Sequence, residues 1–460
     1  MRNLLFFLII NCILIFAQNA WPQQSEKRVL NLEQCEALAL KNNPLVKVAD
    51  LNLERSLARQ TQAANAGILP RMELRNIWTS IPRARAIFTD TGVLTSPDTS
   101  TSFSDLRLLT EVEWSWIQPL FTFGKFSNLK KAASFGVEAS QANVTKTEAD
   151  IRLMTRKLYW GLVFGKELLV VIEDAQKEVN KAEDKLNEQL DEGAEDVSQE
   201  DMFKLQIFKY EINKRHREAL KEISLAAVAF NAALGLDETV VVEPGTEYLD
   251  PIEISIDSLS AYIELALQNR SELVQLQAGL NANRAMISVA KSDYYPQFFL
   301  AGGVKYNFAQ DRDDPNNPWV FNPTNFFRPA VLAGFRLNLN FLQTRDKVRV
   351  ARAQYNELSY KEDLLIEKIK LDVQKKYLEL LEAEDNIKES EKALKASRNW
   401  LRSVSMTFDL GLTEVKELID AFKANSTMRG EHLQNIFEFN TIAAELSKEI
   451  GYDLYKSGRY

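Results

Sequence analysis

The chain of 460 residues has few of the residue types on which most enzymes and metalloproteins depend. It contains two cysteines and two histidines, and neither type forms a cluster with the spacing of a metal site. It also lacks a glycine-rich phosphate loop and a Gly-x-Ser-x-Gly nucleophile elbow. We therefore predict no catalytic, cofactor-binding or metal-binding residues, and an enzyme of the cell envelope is the least favoured interpretation.

Long apolar runs are also missing, except at the N-terminus. Arg2 precedes an apolar stretch over residues 4–16, which is typical of a secretory signal peptide and too short for a membrane-spanning helix. We predict a signal peptide over residues 1–20, and its removal leaves Cys35 as the single cysteine, so that no internal disulfide can form. The net charge of -8 comes from mixed signs without a basic stripe, which argues against nucleic acid as a partner.

What the chain does have is an internal repeat. An Ala-Leu-x-Asn box occurs at residues 39–42 and again at 266–269, and each box is followed by an amphipathic stretch, a proline (Pro70 or Pro296) and an alternating run. A period of roughly 220 residues is far too long for one unit of a solenoid. We predict two structural repeats, residues 21–240 and 241–460, each containing a helix, a strand pair and a long helical hairpin.

Two long tracts have heptad periodicity. Apolar and small residues recur every seven positions over about 125–190 and about 345–408, the pattern of long helices that pack as coiled coils. Each tract is interrupted at a glycine, Gly193 or Gly411, and glycine suits the left-handed conformation that ends a helix. We predict hairpin turns at these two glycines. A coiled-coil scaffold is the alternative interpretation of this periodicity, and it is the less favoured one.

Between the helical tracts lie four stretches in which apolar and polar residues alternate, at 72–79, 106–118, 298–308 and 331–341. The last three have about the length of a tilted membrane-spanning strand. Four strands cannot close a barrel, and lipid does not tolerate open edges, so several chains must combine. The polar residues expected to face a wet lumen are Glu111, Glu113, Lys305, Arg336 and Asn338, and the aromatic residues expected near strand ends are Trp114, Trp116, Tyr306, Phe308 and Phe341.

Trp114, Trp116 and Tyr306 are interpreted as an aromatic girdle at the membrane interface, because such residues are enriched there. A ligand-binding platform is the less favoured interpretation of the two tryptophans.

Taken together, these features resemble the TolC family of outer-membrane efflux proteins. The resemblance covers essentially the whole chain after the signal peptide, and it rests on motifs that occur in order and twice. They are the two Ala-Leu-x-Asn boxes, Pro70 and Pro296, the strand-to-helix junction over residues 119–124, the turn over residues 408–415, and the half-ending segments Ala233-Leu234-Gly235 and Glu449-Ile450-Gly451.

This resemblance implies a mainly α fold with β-structure. Each protomer would combine long antiparallel coiled-coil hairpins with four transmembrane strands, and a homotrimer would form a 12-stranded barrel continued by an α-helical periplasmic tunnel. The protein would lie in the outer membrane, with helices extending into the periplasm. It would be a passive exit duct of a tripartite efflux or type I secretion system.

The partners implied by the resemblance are outer-membrane lipid, a periplasmic adaptor (membrane fusion) protein and an inner-membrane transporter. The alternative is that the chain is itself a periplasmic adaptor or a coiled-coil scaffold. Adaptors normally carry one hairpin between β-rich domains, whereas this chain has two hairpins with strand pairs between them.

The resemblance also implies a periplasmic gate, because the family has acidic residues six and nine positions after the turn glycine. In this chain these positions are Glu417 and Asp420, which are three apart and so share a helix face. In a trimer they would form two stacked rings of carboxylates that favour cations. The alternative is an ordinary solvated helix face. The first turn has Gln199 at the corresponding position, and its acidic residues (191, 192, 195 and 196) are interpreted as solvated or as an adaptor contact.

Overall fold

The computed structural model describes residues 26–82, 86–88, 94–97, 106–191, 199–236, 240–310, 319, 322, 324–410 and 412–457. The predicted signal peptide and the two predicted turn glycines, Gly193 and Gly411, lie outside the described residues. None of the helices in the described part of the chain combines the length and the apolar character needed to cross a membrane.

The chain is mainly helical, as predicted. The strands are β1 (Glu26–Leu30), β2 (Arg71–Pro82), β3 (Ala86–Phe88), β4 (Leu94–Pro97), β5 (Leu106–Phe121), β6 (Val240–Pro244), β7 (Gln297–Ala309) and β8 (Phe326–Arg336). The helices are α1 (Leu32–Asn42), α2 (Pro44–Asn65), α3 (Lys125–Asp191), α4 (Gln199–Leu234), α5 (Leu259–Asn269), α6 (Ser271–Ser292), α7 (Phe341–Asp409), α8 (Val415–Ile450) and α9 (Leu454–Ser457).

The lengths of the helices repeat between the two halves. α1 and α5 each have 11 residues, and α2 and α6 each have 22. The long helices α3 and α7 have 67 and 69 residues, and α4 and α8 each have 36. Two short helices, two long strands, a long helix and a 36-residue helix therefore occur in this order twice.

A close backbone contact explains two of the recurring motifs. α4 is followed by Gly235 with φ 64°, and α8 is followed by Gly451 with φ 65°, a conformation that glycine adopts without strain. A Cβ on Gly235 would lie 2.8 Å from Cβ of Asn42, and one on Gly451 would lie 2.9 Å from the backbone of Asn269. The asparagine that ends each Ala-Leu-x-Asn box therefore contacts the glycine that closes the same half.

Packing divides the chain into two compact units. Unit 1 comprises Met1–Leu51, Ala142–Leu273 and Leu364–Tyr460, and unit 2 comprises Asn52–Gln141 and Val274–Asp363. Unit 1 contains three apolar clusters. It also contains a parallel pair of short strands, β1 and β6, with Glu26 opposite Val240.

Unit 2 contains an antiparallel sheet of four strands in the order β2-β5-β7-β8. Its register places Arg75 opposite Glu113, Glu113 opposite Lys305, and Lys305 opposite Arg328. Because successive side chains on a strand point to opposite faces, this row defines one face of the sheet across all four strands.

The fourth strand differs from its predicted range of 331–341, since β8 covers Phe326–Arg336. The apolar alternation continues beyond Arg336, but its partner strand does not, because Gln297 pairs with Arg336 and is the first residue of β7. Local turn bonds then redirect the chain: Asn340 N–H donates to Asn338 Oδ1 at 3.0 Å. Asn338 therefore lies after the strand, and Phe341 begins helix α7 instead of ending a strand.

Candidate functional site

The ends of four long helices meet in one apolar cluster of unit 1. The heptad positions Val179 and Leu186 on α3 are almost fully buried in it, as the periodicity predicts. The other members come from α3, α4, α7 and α8, so that the ends of both hairpins share one core. They are Ala175, Ala182, Met202, Leu205, Phe208, Ile212, Val404, Phe408, Val415, Leu418, Ile419, Ala421 and Phe422.

The turn between α7 and α8 is held by Thr407 in the last turn of α7. Its carbonyl oxygen accepts from the N–H of Leu410 at 3.2 Å and of Leu412 at 2.9 Å. Its hydroxyl is hydrogen-bonded to the Thr413 hydroxyl at 2.6 Å. These bonds close the turn from within, while Leu410 and Leu412 project into solvent with 73% and 75% of their surface exposed.

Glu417 and Asp420 lie in the first two turns of α8, and both are exposed. The intervening Leu418 and Ile419 are buried in the apolar cluster, so the two acids occupy the opposite side of the helix. The structure thus brings the two predicted gate residues together on one exposed face. Their assignment as the constriction stays a prediction.

Three ion pairs cross between the two hairpins at the rim of this cluster. Lys185 on α3 bonds Asp409 on α7 at 2.8 Å. The other two pairs join α8 to the first hairpin: Lys423 with Glu211 at 3.5 Å, and Arg429 with Asp174 at 3.0 Å. Sequence reasoning missed these residues, because nothing in a single sequence indicates which charge on one hairpin meets which charge on the other.

The apolar cluster contributes much more to this contact than the ion pairs do. Each partly exposed pair contributes about 0.2–1 kcal/mol, whereas each large apolar side chain contributes about 1.5–3 kcal/mol when buried. The charged pairs therefore set which hairpin surfaces face each other, and the apolar side chains hold them together. Because the pairs lie at the solvent-exposed rim, salt weakens them while it leaves the apolar core in place.

The four-stranded sheet of unit 2 has one charged and one apolar face. On the charged face, Arg75 bonds Glu113 at 2.5 Å and Glu111 at 3.3 Å, and Lys305 bonds Glu111 at 3.1 Å. Three of the five residues predicted to face a wet lumen, Glu111, Glu113 and Lys305, belong to this face. Arg336 is the last residue of β8, and Asn338 lies after the strand. The apolar residues of the opposite face that are largely exposed in the single chain are Met72, Leu74, Trp78, Leu106, Leu108, Trp114, Phe298, Tyr306, Phe308, Phe327, Val331 and Phe335.

The predicted girdle residues Trp114, Trp116 and Tyr306 all belong to this apolar face. Trp116 lies over Gly302 on the neighbouring strand, where a Cβ would come within 2.8 Å of the indole ring. Glycine therefore makes room for the tryptophan on the sheet surface. The position of these three aromatics relative to a membrane interface stays a prediction.

Comparisons with known proteins agree with this arrangement. Residues 262–451 match the family model described as outer membrane efflux protein, whereas comparison with curated proteins gave no match. The fold is similar to that of CusC, with 13% identity over 92% of each chain and a TM-score of 0.74. It is also similar to the CmeC outer membrane channel of Campylobacter jejuni, with 14% identity over 92% of this chain and 85% of that one and a TM-score of 0.74.

The outer membrane protein VceC of Vibrio cholerae shares the fold too, with 14% identity over 92% of this chain and 96% of that one and a TM-score of 0.72. The resemblance predicted from the motifs is confirmed, and so is the mainly helical fold with an antiparallel sheet.

Proposed function

We propose that this chain is a TolC-like outer membrane efflux protein that assembles as a homotrimer around one outer-membrane channel. The family match of residues 262–451 and the fold support this proposal. Each protomer would supply its four-stranded sheet to a 12-stranded barrel. The helical hairpins would extend into the periplasm.

The observation that carries this proposal is the two-faced sheet, whose two edge strands have no further partner strand among the described residues. β2 and β8 are its edge strands, and an exposed edge beside an exposed apolar face is unstable in water and forbidden in lipid. Closing several copies into a ring removes both edges at once. The apolar face then meets lipid, and the row of Arg75, Glu113 and Lys305 faces a water-filled interior.

The proposed activity is passive export, with no bond made or broken. A periplasmic adaptor and an inner-membrane pump of a tripartite efflux or type I secretion system would deliver the cargo and the energy. The exposed Leu410 and Leu412 at the second hairpin turn support the tip as the place where the adaptor engages. Engagement there would separate the hairpin ends and widen the tunnel.

Glu417 and Asp420 are the proposed gate. With one copy of each per protomer, a trimer would hold six carboxylates close to its axis, and their mutual repulsion would favour cation entry. The test is single-channel recording of the double variant Glu417→Gln/Asp420→Asn beside the parent. Loss of cation preference and of block by divalent ions is expected, and an unchanged preference would remove these residues from the gate.

The assembly itself is tested by membrane fractionation and by heat-modified migration on gels. We expect the protein in the outer-membrane fraction, migrating as a trimer without heating and as a monomer after heating. A periplasmic monomer would contradict the channel and favour an adaptor or scaffold.

A further inference from the structure

The two long helices that follow the sheet begin with an unusual distribution of charge. α3 begins at Lys125 and α7 at Phe341, and neither has an acidic residue in its first turn. Their first three turns contain Lys130, Lys131, Arg345 and Arg349 instead. The partial positive charge at the N-terminal end of a helix acts within the first turn, where Lys125 is already paired with Asp293. The other four cations lie beyond that turn.

These cations lie directly beyond the strands. β5 ends at Phe121 and β8 at Arg336, only a few residues before α3 and α7 begin. At a rise of 1.5 Å per residue, Lys131 lies about 9 Å from the start of α3, and Arg349 lies about 12 Å from the start of α7. The polar headgroup zone of a bilayer is about 5–8 Å thick on each side, and lysine and arginine side chains extend several ångströms further. If the strands span the membrane, these groups reach the level of the lipid phosphates.

The region carries a local excess of positive charge in a chain whose net charge is -8. Residues 125–131, 291–295 and 341–352 contain eight cations and two carboxylates, which leaves six positive charges uncompensated. We name these eight cations the basic collar. Its members are Lys125, Lys130, Lys131, Lys291, Arg345, Lys347, Arg349 and Arg352.

The two carboxylates of this region are each shared by two cations. Asp293 bonds Lys125 at 2.8 Å and Lys347 at 3.4 Å. Asp346 contacts Arg345 at 3.4 Å and Arg349 at 4.0 Å, and the Arg349 side chain is still 76% exposed. Among the described residues, Lys130, Lys131, Lys291 and Arg352 are exposed and make no ion pair, so half of the collar is free to bind an external anion.

Aromatic rings lie among the cations. Phe123 stacks on Tyr295 with ring centroids 4.8 Å apart, and Tyr294 stacks on Phe341 at 6.5 Å. Phe123, Tyr295 and Phe341 are all exposed in part. Basic residues beside tyrosine rings are a combination that membrane interfaces favour, and Tyr294 and Tyr295 supply those rings here. A site for free phosphate has no need of exposed rings.

We propose that the basic collar binds the phosphate groups of anionic phospholipids in the leaflet of the outer membrane that faces the periplasm. This inference rests on the proposed function, because the collar meets lipid only if the sheet spans the membrane. Bound lipid phosphates compensate the cations at the starts of α3 and α7 and fix the depth at which the barrel ends and the helices begin.

The test compares two triple variants of the full chain purified as its native oligomer. Lys130→Gln/Lys131→Gln/Arg349→Gln neutralises three exposed collar residues. Lys392→Gln/Lys395→Gln/Arg398→Gln neutralises three exposed cations further along α7 and is matched in charge. Short-chain phosphatidylglycerol is titrated and counted by native mass spectrometry, with phosphatidylcholine as the neutral lipid and inorganic phosphate as the competitor.

The parent and the control variant Lys392→Gln/Lys395→Gln/Arg398→Gln are expected to bind phosphatidylglycerol in preference to phosphatidylcholine. The collar variant should bind it about fivefold more weakly for each charge removed, and added salt should weaken the parent's binding. Equal affinity of the collar variant and the control would overturn the proposal. Efficient displacement by millimolar phosphate would identify a free-anion site instead.

If the first collar variant fails to assemble, Arg345→Gln/Arg352→Gln provides an independent measurement. If the parent protein fractionates as an outer-membrane trimer but does not prefer phosphatidylglycerol over phosphatidylcholine, the proposed lipid binding by the basic collar is contradicted, and the proposed channel is not. A parent protein that never enters the membrane contradicts the proposed channel.

Discussion

The orientation of the sheet can be tested with two neighbouring residues of β8. Val331 and Leu332 are adjacent apolar residues on an edge strand, with 72% and 52% of their surface exposed in the single chain. They point to opposite faces of the sheet. Val331 belongs to the apolar face and Leu332 to the face that carries Arg328 and Lys305. Substitution of each by arginine adds the same charge at nearly the same depth.

The expected effects differ strongly. Val331 is the central residue of β8, which covers Phe326–Arg336, so in the proposed barrel it lies close to the middle of the bilayer. An arginine facing lipid at the midplane costs about 2–4 kcal/mol, and a trimer carries the substitution three times. Leu332→Arg places the guanidinium in the wet interior, where its cost is within about 1 kcal/mol.

The assay is refolding into phosphatidylcholine vesicles, followed by denaturant titration with heat-modified migration as the readout. Val331→Arg should lower the yield of inserted trimer and shift its unfolding midpoint to lower denaturant, while Leu332→Arg stays close to the parent. Equal effects of the two substitutions, or a larger effect at Leu332, would refute the assignment of the faces.

Three further predictions concern the helical unit. Gly235→Ala should destabilise the protein by at least about 1–2 kcal/mol, because the φ of 64° and the contact with Asn42 both disfavour a Cβ at this position. The control in the same denaturant titration is Gly161→Ala, whose Cβ would lie 3.8 Å from Phe437, an ordinary van der Waals distance. Burial raises the pKa of Glu445, but hydrogen bonds from Lys157 and Lys376 outweigh it and lower the pKa below its ordinary value. These bonds therefore add fully to the free energy of unfolding above about pH 4.3, and their contribution is lost as the pH falls through the lowered pKa. We expect Glu445→Gln to have a lower free energy of unfolding near neutral pH than the exposed control Glu438→Gln. Its free energy of unfolding should also fall less on acidification than that of the control. Burial raises the pKa of the Cys35 thiol to about 12, so a thiol reagent at pH 8 should label Cys35 only after unfolding; labelling of the folded protein would contradict its burial.

Much of the fold follows from periodicity. The heptad spacing of Val179 and Leu186 identifies the buried seam of α3, and the repeated Ala-Leu-x-Asn box identifies matching helices in the two halves. The alternation of β5 and β7 gives the correct face for each residue. These predictions succeed because each depends on the geometry of a single element, which the sequence specifies locally.

The end of β8 was mispredicted for a different physical reason. The pattern of Leu337, Leu339 and Phe341 continues the alternation, yet a strand lasts only as long as its partner does. The bond from Asn340 N–H to Asn338 Oδ1 is a local alternative that the alternation does not reveal.

The candidate gate shows a similar limit. The spacing of Glu417 and Asp420 predicts that they share a face, and they do, but what that face meets depends on the other copies. The ion pairs of Lys185, Lys423 and Arg429 also depend on tertiary packing, since each joins residues more than two hundred positions apart.

The most direct test of the account is electrical. Purified protein that migrates as a trimer is added to one side of a planar lipid bilayer, and single-channel current is recorded. The account predicts uniform, discrete conductance steps with a preference for cations over anions. A trimer that inserts into the bilayer but passes no current would contradict the claim that three copies of this chain enclose a channel.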